Sequence, residues 1–127
     1  MNEKKYYICS VCGNIVEVVS ASGVNVKCCG KNMEEIIPGT VEASREKHIP
    51  VVKVEGDRVI VDVGSVAHPM SEEHSILWVC LETCCGVYRK HLAVGKAPVA
   101  TFTISEYEKP VAVYAYCNLH GLWKAEI

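Results

Sequence analysis

From residue 40 onward the chain reads as short β-branched runs broken by turn formers. "PVVKVEGDRVIVDVGSV" holds two such runs joined by Glu55-Gly56-Asp57-Arg58, a hairpin signal. "SILWVCLE", "VYRKHLAV", "VATFTIS", "PVAVYAYC" and "LWKAEI" follow, separated by Gly, Pro or charged residues. Two-residue alternation recurs, and Pro38, Pro50, Pro69, Pro98 and Pro110 are expected between strands. No stretch carries a helical apolar stripe, no repeat has a fixed period, and no tract is of low complexity. The pattern predicts an all-β chain whose larger part is an antiparallel sandwich of six or seven strands.

The first section differs. "YYIC" leads into Cys9-Ser-Val-Cys12-Gly13, "NIVEVV" alternates imperfectly, "SASG" turns the chain and "VNVKCCG" returns. Two short strands around cysteine turns are predicted here, with few large apolar side chains. A core of fewer than roughly 40 residues seldom suffices without a metal or disulfides. Pro38-Gly39 is the expected joint, giving domains 1–37 and 38–127.

Charge and composition narrow the classes. The 127 residues carry a formal net charge of −2, so no electrostatic case exists for nucleic acid or an anionic membrane. "MNEKKYYICSVCG" lacks the apolar region of a secretory signal, and no apolar run reaches about 18 residues. Eight cysteines are many for this length. The expected compartment is the cytoplasm, where thiols stay reduced and serve more often as metal ligands or redox groups than as staples.

Two constellations carry chemistry. Cys9-x2-Cys12 with Cys28-Cys29 offers four thiolates, which suits tetrahedral zinc or a single iron. Gly13 fits a metal knuckle, where backbone N–H groups can face sulfur. Adjacent Cys28 and Cys29 depart from the usual paired C-x2-C and could share one ion only with a distorted angle. The plainer alternative is two buried thiols or a vicinal disulfide. The second constellation is His48 in "REKHIP", His68 in "VAHPM", His74 in "EEHSI", and Cys117 with His120 in "CNLHG". Each lies at a strand end or turn, where a lone histidine is ordinarily a solvated loop residue; their repeated placement beside Pro or Gly argues for a shared role. His91, inside "YRKHLAV", is read as an ordinary surface residue. Four imidazoles and one thiolate exceed the four ligands of a closed structural zinc site. Mixed nitrogen and sulfur donors suit iron, and five ligands on an ion that accepts six leave one open position.

With these residues in view, the chain resembles the desulfoferrodoxins, the two-iron superoxide reductases. "CSVCGNIVEV…CCG", "EKHIPV", "VGSVAHPM", "EEH" and "YCNLHGLWKAE" match in order across essentially the whole length. The resemblance implies a desulforedoxin-like module with a rubredoxin-type knuckle, whose iron is held by Cys9, Cys12, Cys28 and Cys29. It also implies an immunoglobulin-like β-sandwich whose iron is held by His48, His68, His74 and His120 with Cys117 axial. The implied reaction is one-electron reduction of superoxide to hydrogen peroxide, with rubredoxin or a similar donor and a homodimeric assembly. Glu46 and Lys47 match the loop beside the open position. The Lys47 ammonium would attract an anionic substrate and hold a water as proton source. Glu46 would either swing onto the oxidised iron or remain a solvated carboxylate. An axial thiolate pushes electron density toward the opposite position, as in thiolate-ligated haem enzymes, which favours release of hydrogen peroxide with its O–O bond intact.

Cys80, Cys84 and Cys85 in "CLETCC" belong to neither constellation and depart from the family pattern. They are expected to be inert thiols, with Cys80 on the same strand face as Trp78. Two other functions compete with the reductase: an electron carrier that uses only the four-thiolate iron, and a structural zinc protein that docks a partner through its sandwich. Neither explains a fifth donor or Lys47. A dismutase would have to release oxygen from the oxidised metal, which a capping Glu46 would oppose.

Overall fold

The computed structural model describes residues 5–127 of the chain, which divides into two compact units, Met1–Ile37 and Pro38–Ile127. In the first unit, β1 (Lys5–Ile8) pairs antiparallel with β2 (Ile15–Val18) and with β5 (Glu34–Glu35). A two-residue hairpin, β3 (Lys27–Cys28) with β4 (Lys31–Asn32), carries the second cysteine pair. The sequence pattern foresaw two strands here; β3 to β5 are too short to show a period. Tyr6, Cys9 and Met33 are the buried apolar residues of this unit among those described. Three side chains are a meagre core, so the unit needs another source of order.

The second unit opens with one helical turn, α1 (Arg45–His48), which the strand-dominated pattern did not reveal. Four residues are too few for helical periodicity to register. Seven strands follow among the described residues: β6 (Pro50–Glu55), β7 (Arg58–Val63), β8 (Ile76–Thr83), β9 (Val87–His91), β10 (Val99–Thr103), β11 (Pro110–Cys117) and β12 (Gly121–Glu126). They form two antiparallel sheets, β10-β7-β6 and β12-β11-β8-β9. Glu55 pairs with Arg58 across the expected hairpin, with Gly56 at φ +61°. Pro50 and Pro110 do not fall between strands; they open β6 and β11, first positions where a missing N–H is tolerated.

The sheets enclose one apolar core. Val59, Val61 and Val63 of β7 and Phe102 of β10 meet Val79 and Leu81 of β8 and Val113 and Ala115 of β11. Alternate residues of β7 point inward, as period-two patterning requires. Trp78 and Cys80 share the other face of β8, and Trp78 stacks on Tyr116 at 5.5 Å. Cys117 is the last residue of β11 and belongs to the core, so the sandwich delivers one thiol to its own rim. No helix among the described residues is long and apolar enough to cross a membrane.

Candidate metal centres

The four sulfurs of Cys9, Cys12, Cys28 and Cys29 lie within 4.8 Å of one another. Cys12 Sγ is 3.6 Å from Cys28 Sγ, and Cys28 Sγ is 3.9 Å from Cys29 Sγ. All four thiols are free, so the vicinal-disulfide alternative does not hold. A tetrahedral ion with metal–sulfur bonds of about 2.3 Å sets its sulfurs about 3.8 Å apart. The cluster already has that spacing.

Local backbone explains how these residues converge. The knuckle closes through Gly13 N–H to Cys9 O and Cys9 N–H to Asn14 O, both 2.9 Å, with Gly13 at φ +81°. The Cys12 N–H donates to Cys9 Sγ at 3.5 Å. Backbone N–H groups of Cys12 and Val11 hold the Cys9 thiol down to about 6, so this sulfur is readily anionic. The adjacent pair needs a different device. Cys29 takes φ +52°, a left-handed conformation rare for a side-chain-bearing residue, and this turns its sulfur to the same side as that of Cys28. Neighbouring Cys12 drives Cys29 up to about 12, since four sulfurs at this spacing cannot all ionise without a cation.

The second centre lies at the rim of the sandwich, and four imidazoles outline it as a square. Ring centroids of His48–His68, His68–His74, His74–His120 and His120–His48 are 4.6, 4.5, 5.0 and 4.9 Å apart, while the His48–His74 diagonal is 6.2 Å. Neighbouring rings are nearly perpendicular, at 76° to 87°. Donor atoms of His48, His74, Cys117 and His120 all lie within 4.8 Å of one another. His68 stands outside that tightest group but completes the square, its Nε2 being 3.1 Å from His48 Nε2.

Hydrogen bonds on the far side of the rings fix which nitrogen faces inward. His48 Nδ1 donates to Ser44 O at 2.6 Å, and His68 Nδ1 to Pro69 O at 2.7 Å. Each Nε2 is then a bare lone pair, and the two lone pairs confront each other at 3.1 Å. His120 presents Nδ1 instead, 3.1 Å from His48 Nε2 and 3.9 Å from Cys117 Sγ. His74 Nε2 is shielded from solvent without a hydrogen-bond partner among the described residues. Converging lone pairs and an orphaned nitrogen are unfavourable unless a cation sits among them. An ion about 2.1 Å from each nitrogen would set neighbours on a square about 3.0 Å apart. The residues therefore fit a metal ion.

Protonation points the same way. Burial holds His48 and His74 below the usual imidazole range and takes His68 down to about 4, so all three are neutral at pH 7. The Lys47 charge adds to the effect on His48 and His74, which places its ammonium within electrostatic reach of the site. Burial pushes the Cys117 thiol up, opposed by backbone N–H groups of His120 and Leu119 aimed at its sulfur. A bound cation reverses that balance and fixes the thiolate.

Each ligand is held by its element. Asn118–His120 is a turn that Gly121, at φ +76°, converts back into β12, so Cys117 and His120 face one point. Asn118 clamps this turn to the His74 loop. Its Oδ1 accepts Ser75 N–H at 3.0 Å and its Nδ2 donates to Glu73 O at 2.9 Å. Trp123 packs on His48, 5.0 Å between centroids, and its Nε1 donates to His120 O at 3.0 Å. His48 ends α1, whose Glu46 carbonyl accepts Val66 N–H at 3.0 Å and Ser65 Oγ at 3.2 Å. Glu46 and Lys47 are exposed beside the buried His48, and His91 is exposed at the end of β9. Sequence reasoning missed Asn118, Trp123 and the carbonyls of Ser44 and Pro69. Asn118 could have been found from its place between two ligands; the carbonyls carry no side-chain signal.

Comparison with known proteins agrees with this geometry. The desulfoferrodoxin family profile matches residues 40–126, and the desulfoferrodoxin N-terminal domain matches residues 1–36. A desulfoferrodoxin of Syntrophotalea carbinolica is 47% identical over 99% of both chains. A desulfoferrodoxin homolog of Archaeoglobus fulgidus is 48% identical over 94% of both. Among solved structures, the superoxide reductase of Treponema pallidum superposes with a TM-score of 0.83 at 40% identity, covering 98% of this chain and all of its own (100%). The one-iron superoxide reductase of Giardia intestinalis matches 65% of this chain and 97% of its own, with a TM-score of 0.57 at 32% identity.

Proposed function

The chain belongs to the desulfoferrodoxin family, and from that membership we propose that it is a superoxide reductase, with chemistry at the histidine–cysteine centre. Its two donor clusters match the two-iron members, one Fe(Cys)4 site and one Fe(His)4(Cys) site. The observation that carries the proposal is the square of four imidazoles with Cys117 Sγ beside it. That donor set brings a single negative charge and five donors to an ion that takes six. Ferrous iron held there supplies one electron to superoxide, which with two protons leaves as hydrogen peroxide.

The chain's own residues do the rest. Imidazole ligands bring no negative charge of their own that would repel an anion. The exposed Lys47 ammonium draws superoxide in, raising its local concentration, and holds the water that delivers a proton. Burial pushes the Cys117 thiol up despite the N–H groups aimed at its sulfur, so a bound cation would be what holds it as the thiolate. Glu46 has its backbone pinned by Val66 and Ser65 next to the ligand-bearing His48, and its exposed carboxylate would be the group to cap the oxidised centre. Cys9, Cys12, Cys28 and Cys29 hold the first iron. Rubredoxin or a similar one-electron donor and a homodimer, both resting on family membership, complete the proposal, with a cytoplasmic setting that rests on eight cysteines suited to a reducing compartment.

The test counts metal and follows colour in one sample. Purified protein should contain two irons per chain, and ascorbate-reduced protein mixed with superoxide should develop a thiolate-to-ferric absorption band. Replacement of Cys117 by Ser should remove that band and leave the four-cysteine spectrum. An unchanged spectrum in fully iron-loaded wild-type protein would leave an electron carrier as the better reading.

A further inference from the structure

The turn between β8 and β9 places two more thiols side by side. Cys84 and Cys85 are free and exposed, with sulfurs 3.8 Å apart. They occupy the central positions of a tight turn whose ends are tied by Thr83 N–H to Gly86 O at 2.9 Å. The turn is braced from beneath. The Thr83 hydroxyl accepts the N–H of Cys85 at 3.3 Å and of Gly86 at 2.9 Å, and donates to the Glu108 carboxylate. Glu108 also accepts from Tyr88 OH at 2.7 Å and Ser105 N–H at 3.1 Å. Such bracing holds both sulfurs at the surface on a rigid support.

This pair is not another metal site. Among the described residues, the groups of three or more donors clustered within 4.8 Å are the two centres above, so no third donor closes on Cys84 and Cys85. The two sulfurs are also unequal. Cys84 Sγ accepts the Lys109 N–H at 3.3 Å, and the Cys84 backbone is tied to Lys109 O at 2.8 Å. Cys85 is pushed up, first by Cys84 and further by the Glu108 charge. One sulfur therefore has the support of a nucleophile, and its neighbour keeps its proton.

We propose that Cys84 and Cys85 are a peroxide-oxidisable dithiol, a second redox site that hydrogen peroxide converts to a vicinal disulfide. The Cys84 thiolate attacks one oxygen of hydrogen peroxide; the S–O bond forms, the O–O bond breaks and hydroxide leaves. The Cys85 sulfur then attacks the Cys84 sulfenic acid; the S–S bond forms, the S–O bond breaks, and the departing hydroxide takes the Cys85 proton as water. In sum, two thiols lose two electrons, and one hydrogen peroxide becomes two waters. The sulfurs close from 3.8 Å to about 2.05 Å. Adjacent Cα atoms sit about 3.8 Å apart, closer than ordinary disulfides favour, so the bridge is strained and easily reduced again. The oxidant is the product of the proposed reaction, so one chain both makes the peroxide and carries the dithiol, although the pair follows Thr83, at the far end of β8 from Ile76 and its partner Cys117. The dithiol chemistry itself requires only peroxide.

The experiment uses iron-loaded full-length protein and adds hydrogen peroxide directly, so its outcome does not depend on the reductase activity. After exposure, free thiols are alkylated and the protein is cleaved after Glu82, which separates Cys80 from the pair. The peptide beginning at Thr83 should carry neither alkyl group and weigh two hydrogens less than its dithiol form, and should regain both alkylation sites after dithiothreitol. In Cys85→Ser, which leaves every metal ligand in place, dimedone should label Cys84. Full alkylation of both thiols after peroxide would overturn the proposal. So would oxidation to acids that dithiothreitol cannot reverse. A second arm generates superoxide in the presence of donor. Oxidation by added peroxide but not in this arm would keep the dithiol and count against the reductase reading.

Discussion

At the scale of single residues, charge near the histidine square decides how an anion arrives. Lys47 is the cation whose influence reaches His48 and His74. Replacing it with Ala should lower the second-order rate with superoxide about tenfold and flatten its dependence on ionic strength, as loss of one steering charge does. Stopped-flow rates at two salt concentrations check both. Glu108 gives a pH signature away from the metals. The Thr83 hydroxyl, followed by that of Tyr88, holds its carboxyl below the ordinary value of 4.5. A depressed carboxyl adds stability that is present above its unfolded value and lost as pH falls through the folded one. Wild type should therefore melt higher than Glu108→Gln at pH 7, and the gap should narrow once pH drops below 4.5. Thermal melts of the pair across that range decide it; a constant gap would mean that the carboxylate's charge contributes nothing.

Elements add what residue types do not reveal. α1 lies against Gly64 so closely that a Cβ there would sit 2.3 Å from Glu46 O and 2.7 Å from Lys47 C. Those neighbours are backbone atoms and cannot rotate aside. Gly64→Ala should cost about 1–3 kcal/mol in urea unfolding. It should also displace Glu46 and Lys47 and so slow the superoxide reaction. Full stability with normal rates would show that the α1 backbone shifts freely. The five donors of the second centre could be proposed from the sequence because each histidine stands beside a proline, a glycine or charged residues, and Cys117 precedes His120 by three positions across the Asn118 turn. Their square could not, since it depends on contacts between residues as distant as His48 and His120. The same holds for the Asn118 clamp on Ser75, and for Gly64, whose neighbours lie on α1. Cys28-Cys29 raised the right question about angles, but the left-handed turn at Cys29 is a backbone fact with no residue-type signal. The strand pattern of the sandwich was legible because β7 buries alternate residues and β8 and β11, buried along most of their length, read as apolar β-rich runs; four helical residues and two-residue strands carry no period at all.

For the whole molecule, the division into two units separates two chemistries. The small unit has little apolar core and is organised around four sulfurs, whereas the sandwich has its own core and its own centre. Cys12→Ser should therefore lose about half of the iron and most of the first unit's order, while superoxide reduction at the sandwich stays within about twofold of wild type. Metal analysis with the ascorbate-reduced reaction measures both. Loss of the superoxide reaction in that variant would mean that the four-cysteine iron is required for turnover. The central claim is reduction without dismutation, and stoichiometry tests it most directly. Reduced protein should be given a known amount of superoxide, with hydrogen peroxide and dioxygen measured together. The account predicts one peroxide for each superoxide consumed, no enzyme-dependent dioxygen, and loss of the reaction in Cys117→Ser. One dioxygen for every two superoxides would contradict it.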